Sequence, residues 1–513
     1  MTLKISRETI PTEEIIYNGL QEQGVELDYI LPDYFPDIFR LVRCEIIPTV
    51  VDYSINGSTL SYELSCEIRL IYCGENSSAL QCISQKQTYT KSVELGKSPD
   101  CPDVLITPKA DHVNFRAVNK RRLDVRGAVS VKITVIGEKK QEIICDAAGM
   151  NIQLKKSPMK YISQKICGDK TIQLSEEMEI PSTQPPVISI IRCDTRISPI
   201  EKKIISGKLL AKGEIFLKIL YAAEAAPEPL ELTLPFSQIV DMEVIDEAFI
   251  CNVSAKTTGC NITLIADKNG ENRTLKIEPE IKLVCRCVKI SEVMTVCDAY
   301  STIYPCESEF SEIRTNNPPV IYAESIRHTA QLAQGEGVPE RIFSMWCSPK
   351  NINTRVGNDG KSVIISGMLT YSMAAADSSG AITMPDRDEA FEETVSIGDD
   401  MTKGSVSAEI SDISVSYNIS DTGVLTARAD ISVNITLSDS SGFNALTALS
   451  VDDSAKKQRD GDYAVKLYFG TDKENIWDIA KRFSTEVEAI MEENDLSDTT
   501  LENGRMLLIP IKE

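Results

Sequence analysis

The chain is predicted to be mainly β, with three tandem β-rich, sandwich-like repeats, each carrying one short helix, and a small α+β unit of βααβ order at the end. Three observations lead there. One nine-residue frame occurs three times, as Pro36–Cys44 (PDIFRLVRC), Pro185–Cys193 (PPVISIIRC) and Pro339–Cys347 (PERIFSMWC). Each frame is followed by a block in which apolar residues alternate with polar ones, the pattern of a sheet with one wet face. After Lys466 the pattern changes to strand, helix, helix, strand. A triplicated body with an unrelated terminal unit is the layout of a scaffold more often than of an enzyme.

Within each frame, proline suits the first turn of a short helix. The apolar positions Ile38, Leu41 and Val42, Ile188 and Ile191, and Ile342 and Met345 would give that helix one buried face. Next comes an amphipathic strand. Glu67–Tyr72 (EIRLIY) matches Phe216–Tyr221 (FLKILY) at an offset of 149, the offset that also separates the first two frames. Ile204–Leu209 (IISGKL) is matched by Ile364–Leu369 (IISGML), but the third repeat then lacks the aromatic strand end and reads Tyr371–Ala376 (YSMAAA). The last landmark is a hairpin-forming strand: Leu123, Val125, Val129, Val131 and Ile133 correspond to Leu275, Ile277, Ile281, Leu283 and Cys285, and then to Leu425, Ala427, Ile431, Val433 and Ile435. Turn-rich segments separate the strands at Ala222–Pro229, Asp267–Gly270 and Asp377–Gly380. The expected domains are 1–160, 161–318 and 319–450, with a charged linker over 451–462 and the terminal unit over 463–513.

At 513 residues the chain suits three or four cores. Its longest apolar runs stop well short of a membrane span, so no membrane insertion is expected. The N-terminus meets charge at Lys4, Arg7 and Glu8 with no apolar segment of signal-peptide length, which predicts a cytosolic protein. A net charge of −22 makes nucleic acid an unfavourable partner, since no basic surface would release counterions. Fifteen cysteines scattered over so long a chain read as free thiols in a reducing compartment. Cys44, Cys193 and Cys347 read as small buried hydrophobes. Cys285 and Cys287 would share one strand face, but without a histidine nearby they do not make a metal site. No cofactor is expected. The only histidines, His112 in a loop before a strand and His328 on a helix, lie outside any catalytic motif, and no carboxylate pair or phosphate loop stands out.

In the terminal unit, Asn475 can cap a helix with Asp478 completing a capping box, and Thr485 with Glu488 can do the same for a second helix. Asn503-Gly504 turns into the closing strand Met506–Pro510. Core packing is the expected role of Trp477 and Phe483. A solvated face is the expected role of Glu486, Glu488, Glu492 and Glu493.

The segment Ile476–Phe483 (IWDIAKRF), with Asn494, Leu496, Leu501, Gly504, Leu507, Ile509 and Pro510, resembles a LysM domain. That resemblance implies binding of N-acetylglucosamine-containing polymers in a groove between the loop before the first helix and the loop after the second. Here the groove residues would be Lys473, Glu474, Asn475 and Ile476 with Asp495, Leu496 and Ser497. The family favours Gly-Asp-Thr-Leu-Trp where this chain has Lys473-Glu474-Asn475-Ile476-Trp477. Lysine in place of glycine puts bulk where backbone would approach the sugar and is expected to avoid positive φ. Further upstream, Val25–Ile38 (VELDYILPDYFPDI) resembles the opening of SPOCS-domain proteins, and three such repeats with one LysM resemble the SipL-like proteins of spore-forming Clostridia. The resemblance implies a non-enzymatic spore coat morphogenetic protein of the mother-cell cytosol, recruited to the forespore surface. Its LysM unit would bind the SpoIVA-like ATPase that forms the coat basement layer. The alternative is a wall- or cortex-associated protein whose LysM holds peptidoglycan.

Overall fold

The computed structural model describes residues 2–75, 80–242, 245–316, 318–398, 404–458 and 464–511. Residues 459–462 of the expected linker therefore lie outside the described residues. In the first repeat run β1 (Lys4–Ile30), β2 (Ile38–Asn56), β3 (Thr59–Gly74), β4 (Leu80–Glu94), β5 (Asp100–Asn119) and β6 (Arg122–Ala148). β2, β3 and β4 form an antiparallel meander; the β5–β6 hairpin then returns to pair β6 with β1. The two sheets close over a core that includes Leu60, Leu64, Leu70, Val125, Val129 and Val131.

The second repeat holds β7 (Ile152–Gln173), β8 (Glu176–Glu179), β9 (Ser189–Ile197), β10 (Glu201–Ile205), β11 (Lys208–Ala222), β12 (Pro227–Asp241), β13 (Phe249–Ala266) and β14 (Asn272–Ser301). Its sheets run β13-β14-β7, with β8 also on β14, and β10-β11-β12, with β9 also on β11. The third holds β15 (Cys306–Asn316), β16 (Val320–Gln334), a single 3-10 turn, β17 (Arg341–Val356), β18 (Ser362–Ala376), β19 (Ile382–Thr383), β20 (Asp386–Ser396), β21 (Gly404–Ile419) and β22 (Val424–Val451). There β22 lies between β21 and the successive strands β16 and β15, while β18 pairs with β17, β19 and β20. Lys160 falls within β7, opposite Glu292 of β14. The terminal unit is β23 (Val465–Gly470), α1 (Ile476–Phe483), α2 (Val487–Glu493) and β24 (Arg505–Pro510).

The mainly β class stands, but the short helix expected at each Pro-to-Cys frame is a strand. Ile38–Cys44 lies in β2, Ser189–Cys193 in β9 and Arg341–Cys347 in β17. The reason is that each of these strands packs apolar side chains on both of its faces, which fills in the alternation and leaves an apolar run readable as a helix. Leu41, Ile190 and Met345 turn into their own repeats' cores, whereas Val42, Ile191 and Trp346 turn outward into a cluster shared by all three repeats. Tyr72 and Tyr221 end the matched strands, are fully buried, and donate to the carbonyls of Pro36 and Pro185 at 3.0 and 3.1 Å. His328 is on β16 rather than a helix, its Nδ1 2.8 Å from Tyr371 Oη, and His112 is within β5 rather than in a loop.

Repeats meet around a common centre. Ile71 and Leu80 of the first, Ile191 and Leu220 of the second, and Phe343 and Trp346 of the third share one buried cluster. Further along, Ile144 and Ala147, Val296 and Ala299, and Leu446 and Leu449 form a second cluster, one matched pair from each repeat.

One pair of cysteines departs from the expected free thiols. Cys251 and Cys287 face each other across β13 and β14 and are joined in a disulfide; the register places them opposite each other, within reach of bonding. Burial pushes the Cys285 thiol up to about 11. Among the described residues, no group of three or more His, Cys, Asp or Glu side chains could hold a metal ion.

Candidate functional site

Local rules build the terminal unit. Asn475 is extended, and its Oδ1 accepts from the N–H of Trp477 at 2.9 Å, which starts α1. Ser484, left-handed, ends it. Ile476, Ile479 and Ala480 then face Ile490, Leu501, Leu507 and Ile509. The second capping box does not form. Thr485 donates its hydroxyl to the Pro510 carbonyl at 2.6 Å, so it fastens the closing strand, and Glu486 becomes the N-cap of α2 without a side-chain cap bond. Asn494, nearly buried, bonds both the carbonyl and the N–H of Leu508, each at 2.7 Å.

The seven expected groove residues separate by role. Lys473 is exposed and takes φ of 61°, the left-handed conformation a lysine was expected to avoid; its N–H donates to the Leu501 carbonyl at 2.9 Å, which holds the strained turn. Glu474 accepts from Tyr468 Oη at 2.8 Å and from the Thr471 N–H at 3.0 Å. Burial would raise its carboxyl, but these hydrogen bonds and nearby Arg482 outweigh that and lower it. Asn475 is the helix cap, and Ile476 is fully buried. Asp495, left-handed at φ of 50°, and Ser497 are exposed, whereas Leu496 packs partly on the core. Backbone bonds join the first loop to residues 499–501: Ile476 N–H reaches the Thr499 carbonyl at 2.8 Å and Leu501 N–H the Glu474 carbonyl at 3.0 Å. Lys473, Asp495 and Ser497 are thus the exposed members of the set.

A feature beyond sequence reasoning is the seat of this unit on the repeats. Trp477 Nε1 donates to Asp298 Oδ2 at 2.7 Å, and Lys481 Nζ reaches Asp298 Oδ1 at 2.6 Å. Tyr300 Oη donates to the Thr485 carbonyl at 2.7 Å, and its ring meets Trp477 edge-on at 5.0 Å. Lys457 bonds the Ser301 carbonyl at 2.7 Å and Ser484 Oγ at 3.2 Å. Burial pushes the Tyr300 phenol up and the Lys457 ammonium down, as expected for groups enclosed between two packed units. Asp298 and Tyr300 lie at the end of β14, far from Trp477 in sequence, and no local pattern links them.

A second concavity, a cleft of about 660 Å³, opens between the second and third repeats beside Arg192, Arg196, Phe216, Lys218, Trp346 and Asp412. Its basic groups are engaged: Arg192 with Glu45 and Asp194, Arg196 with Asp412, and Lys218 with the Met345 carbonyl.

Fold and site together define a β-sandwich repeat body carrying a small βααβ binding unit. The family model "SipL, SPOCS domain" matches residues 186–265, which run from the second frame to the end of β13, and the LysM domain model matches residues 473–510. Both are non-catalytic binding domains, and together they fit a spore-associated, wall-binding protein. No curated protein and no solved structure matches the chain. No helix among the described residues is long and apolar enough to cross a membrane.

Proposed function

We propose that this protein is a non-enzymatic spore coat morphogenetic scaffold of the mother-cell cytosol, in which three SPOCS repeats form an acidic platform and the LysM unit binds a SpoIVA-like basement-layer ATPase. One observation carries the reading: Asp298 and Tyr300 hold the LysM unit against the platform through α1 and the turn that follows it. A module fixed in orientation presents its groove at a set angle to the platform, a preorganisation that suits the assembly of an ordered protein layer. Lys473, projecting where the family has glycine, adds a charged donor suited to a protein carboxylate.

The competing reading is a module that holds N-acetylglucosamine polymers of wall or cortex, favoured by the LysM match across both loops. Full-length chain, incubated separately with the SpoIVA-like protein and with purified peptidoglycan, separates the two. The informative variant is Lys473→Ala, Asp495→Ala, Ser497→Ala, because substituting Asn475 or Ile476 would remove a helix cap or a core residue. Retention by the ATPase, weakened at least tenfold in the variant, is the expected result. Retention on peptidoglycan alone would reverse the assignment.

A further inference from the structure

The two-stranded antiparallel sheet of β23 and β24 has two faces of opposite character. Inward, Tyr468 packs edge-on against Phe483 at 5.3 Å, and Leu507 and Ile509 are fully buried. Outward, the cross-strand pairs are Val465 with Pro510, Leu467 with Leu508, and Phe469 with Met506. All six are apolar. Five of them stand exposed, at 43% for Val465, 65% for Leu467, 62% for Phe469, 56% for Met506 and 36% for Leu508, while Pro510 is half-buried, so no element among the described residues covers this face. An outward strand face on an acidic protein normally alternates to polar residues.

We propose that this face is a self-association surface on which a second copy of this chain packs, sheet against sheet, about a twofold axis. The face offers no side-chain donor, acceptor or charge. A glycan would leave its hydroxyls unpaired there, and a charged partner surface would lose its hydration without compensation. A second copy presents the same apolar stripe, and stacked sheets interdigitate at a spacing of about 10 Å. Five half-exposed large side chains leave roughly 450 Å² of apolar surface, so two facing copies remove roughly 900 Å², below the about 1,200 Å² at which stable specific interfaces begin. That size fits a weak, reversible dimer. The net charge of −22 on each copy opposes approach, so added salt strengthens the association.

Sedimentation velocity on the full chain over about 1–200 µM is the test, a range chosen for the modest affinity of so small an interface. The weight-average sedimentation coefficient should rise from monomer toward dimer, more steeply at higher salt. Leu467→Glu and Leu467→Lys should each abolish the rise while the thermal melt stays in place, since this side chain points to solvent. An equimolar mixture of the two should restore it by pairing opposite charges across the axis. Phe469→Ser, a milder change, should weaken the dimer if either charged variant folds poorly. A chain that stays monomeric throughout, or a dimer indifferent to these substitutions, overturns the proposal. So does protection of this face from hydrogen exchange only when a coat protein is added. The groove variant above leaves these six residues intact, so the two readings fail separately.

Discussion

Arg192 joins three repeats with one side chain. It belongs to the second, donates to both oxygens of Glu45 in the first at 2.9 and 2.7 Å, and lies over the Trp346 ring of the third at 4.3 Å. Burial alone would raise the Glu45 carboxyl, but the guanidinium groups of Arg192 and Arg43 overcome it and hold the carboxyl below its ordinary value of 4.5. A depressed folded value means the stabilisation is complete above the unfolded value and is lost as pH falls through the folded one. Urea midpoints should therefore be flat above about pH 5 and decline below about pH 4.5, with a shallower decline in Glu45→Gln. Arg192→Ala should cost about 3–5 kcal/mol, because it leaves Glu45 and Asp194 short of a buried partner. These contacts were not legible in sequence, where Arg192 and Glu45 are ordinary charged residues in different repeats.

Some elements with one wet face were legible in sequence, although β16, which alternates in the same way, was read as a helix around His328. The period-two alternation over Leu123–Ile133 and Leu275–Cys285 places the central strands β6 and β14, and the Asn475 cap with its apolar face places α1. The frame strands were misread because apolar side chains pack on both of their faces, and the second face, built around Val42, Ile191 and Trp346, exists only once three repeats come together. The offset of 149 carried more information than the local pattern did. It aligned Tyr72 with Tyr221, and both make the same bond to a frame proline. Tyr72→Phe and Tyr221→Phe should each lower stability by about 1 kcal/mol, read as a shift in the urea midpoint without a change in slope. The seven groove residues came together from the LysM resemblance, which did not separate exposed Lys473, Asp495 and Ser497 from Ile476, although the apolar spacing of α1 already put Ile476 on its buried face.

At the scale of the whole molecule, the LysM unit and the repeats share a core, since Tyr300 of β14 lies in the same buried cluster as Ile476, Ile490 and Leu507. Asp298→Ala should cost about 1.5–3 kcal/mol, the range for a lost charge-assisted bond. It should also hasten protease cleavage before β23 and shift Trp477 emission to longer wavelength. Because Trp346 and Trp477 are the only two tryptophans, and each lies at a junction, Trp477→Phe separates the two signals.

The seat of the LysM unit is built only once. At the positions matching Asp298 and Tyr300, the first repeat has Asp146, already paired with Lys156 at 2.9 Å, and Ala148; the third has Ala448 and Ser450. A body of near-threefold design thus carries a single pointer. In a sheet of such molecules each copy would have a heading as well as a position, so neighbours could be placed in only one rotational setting out of three.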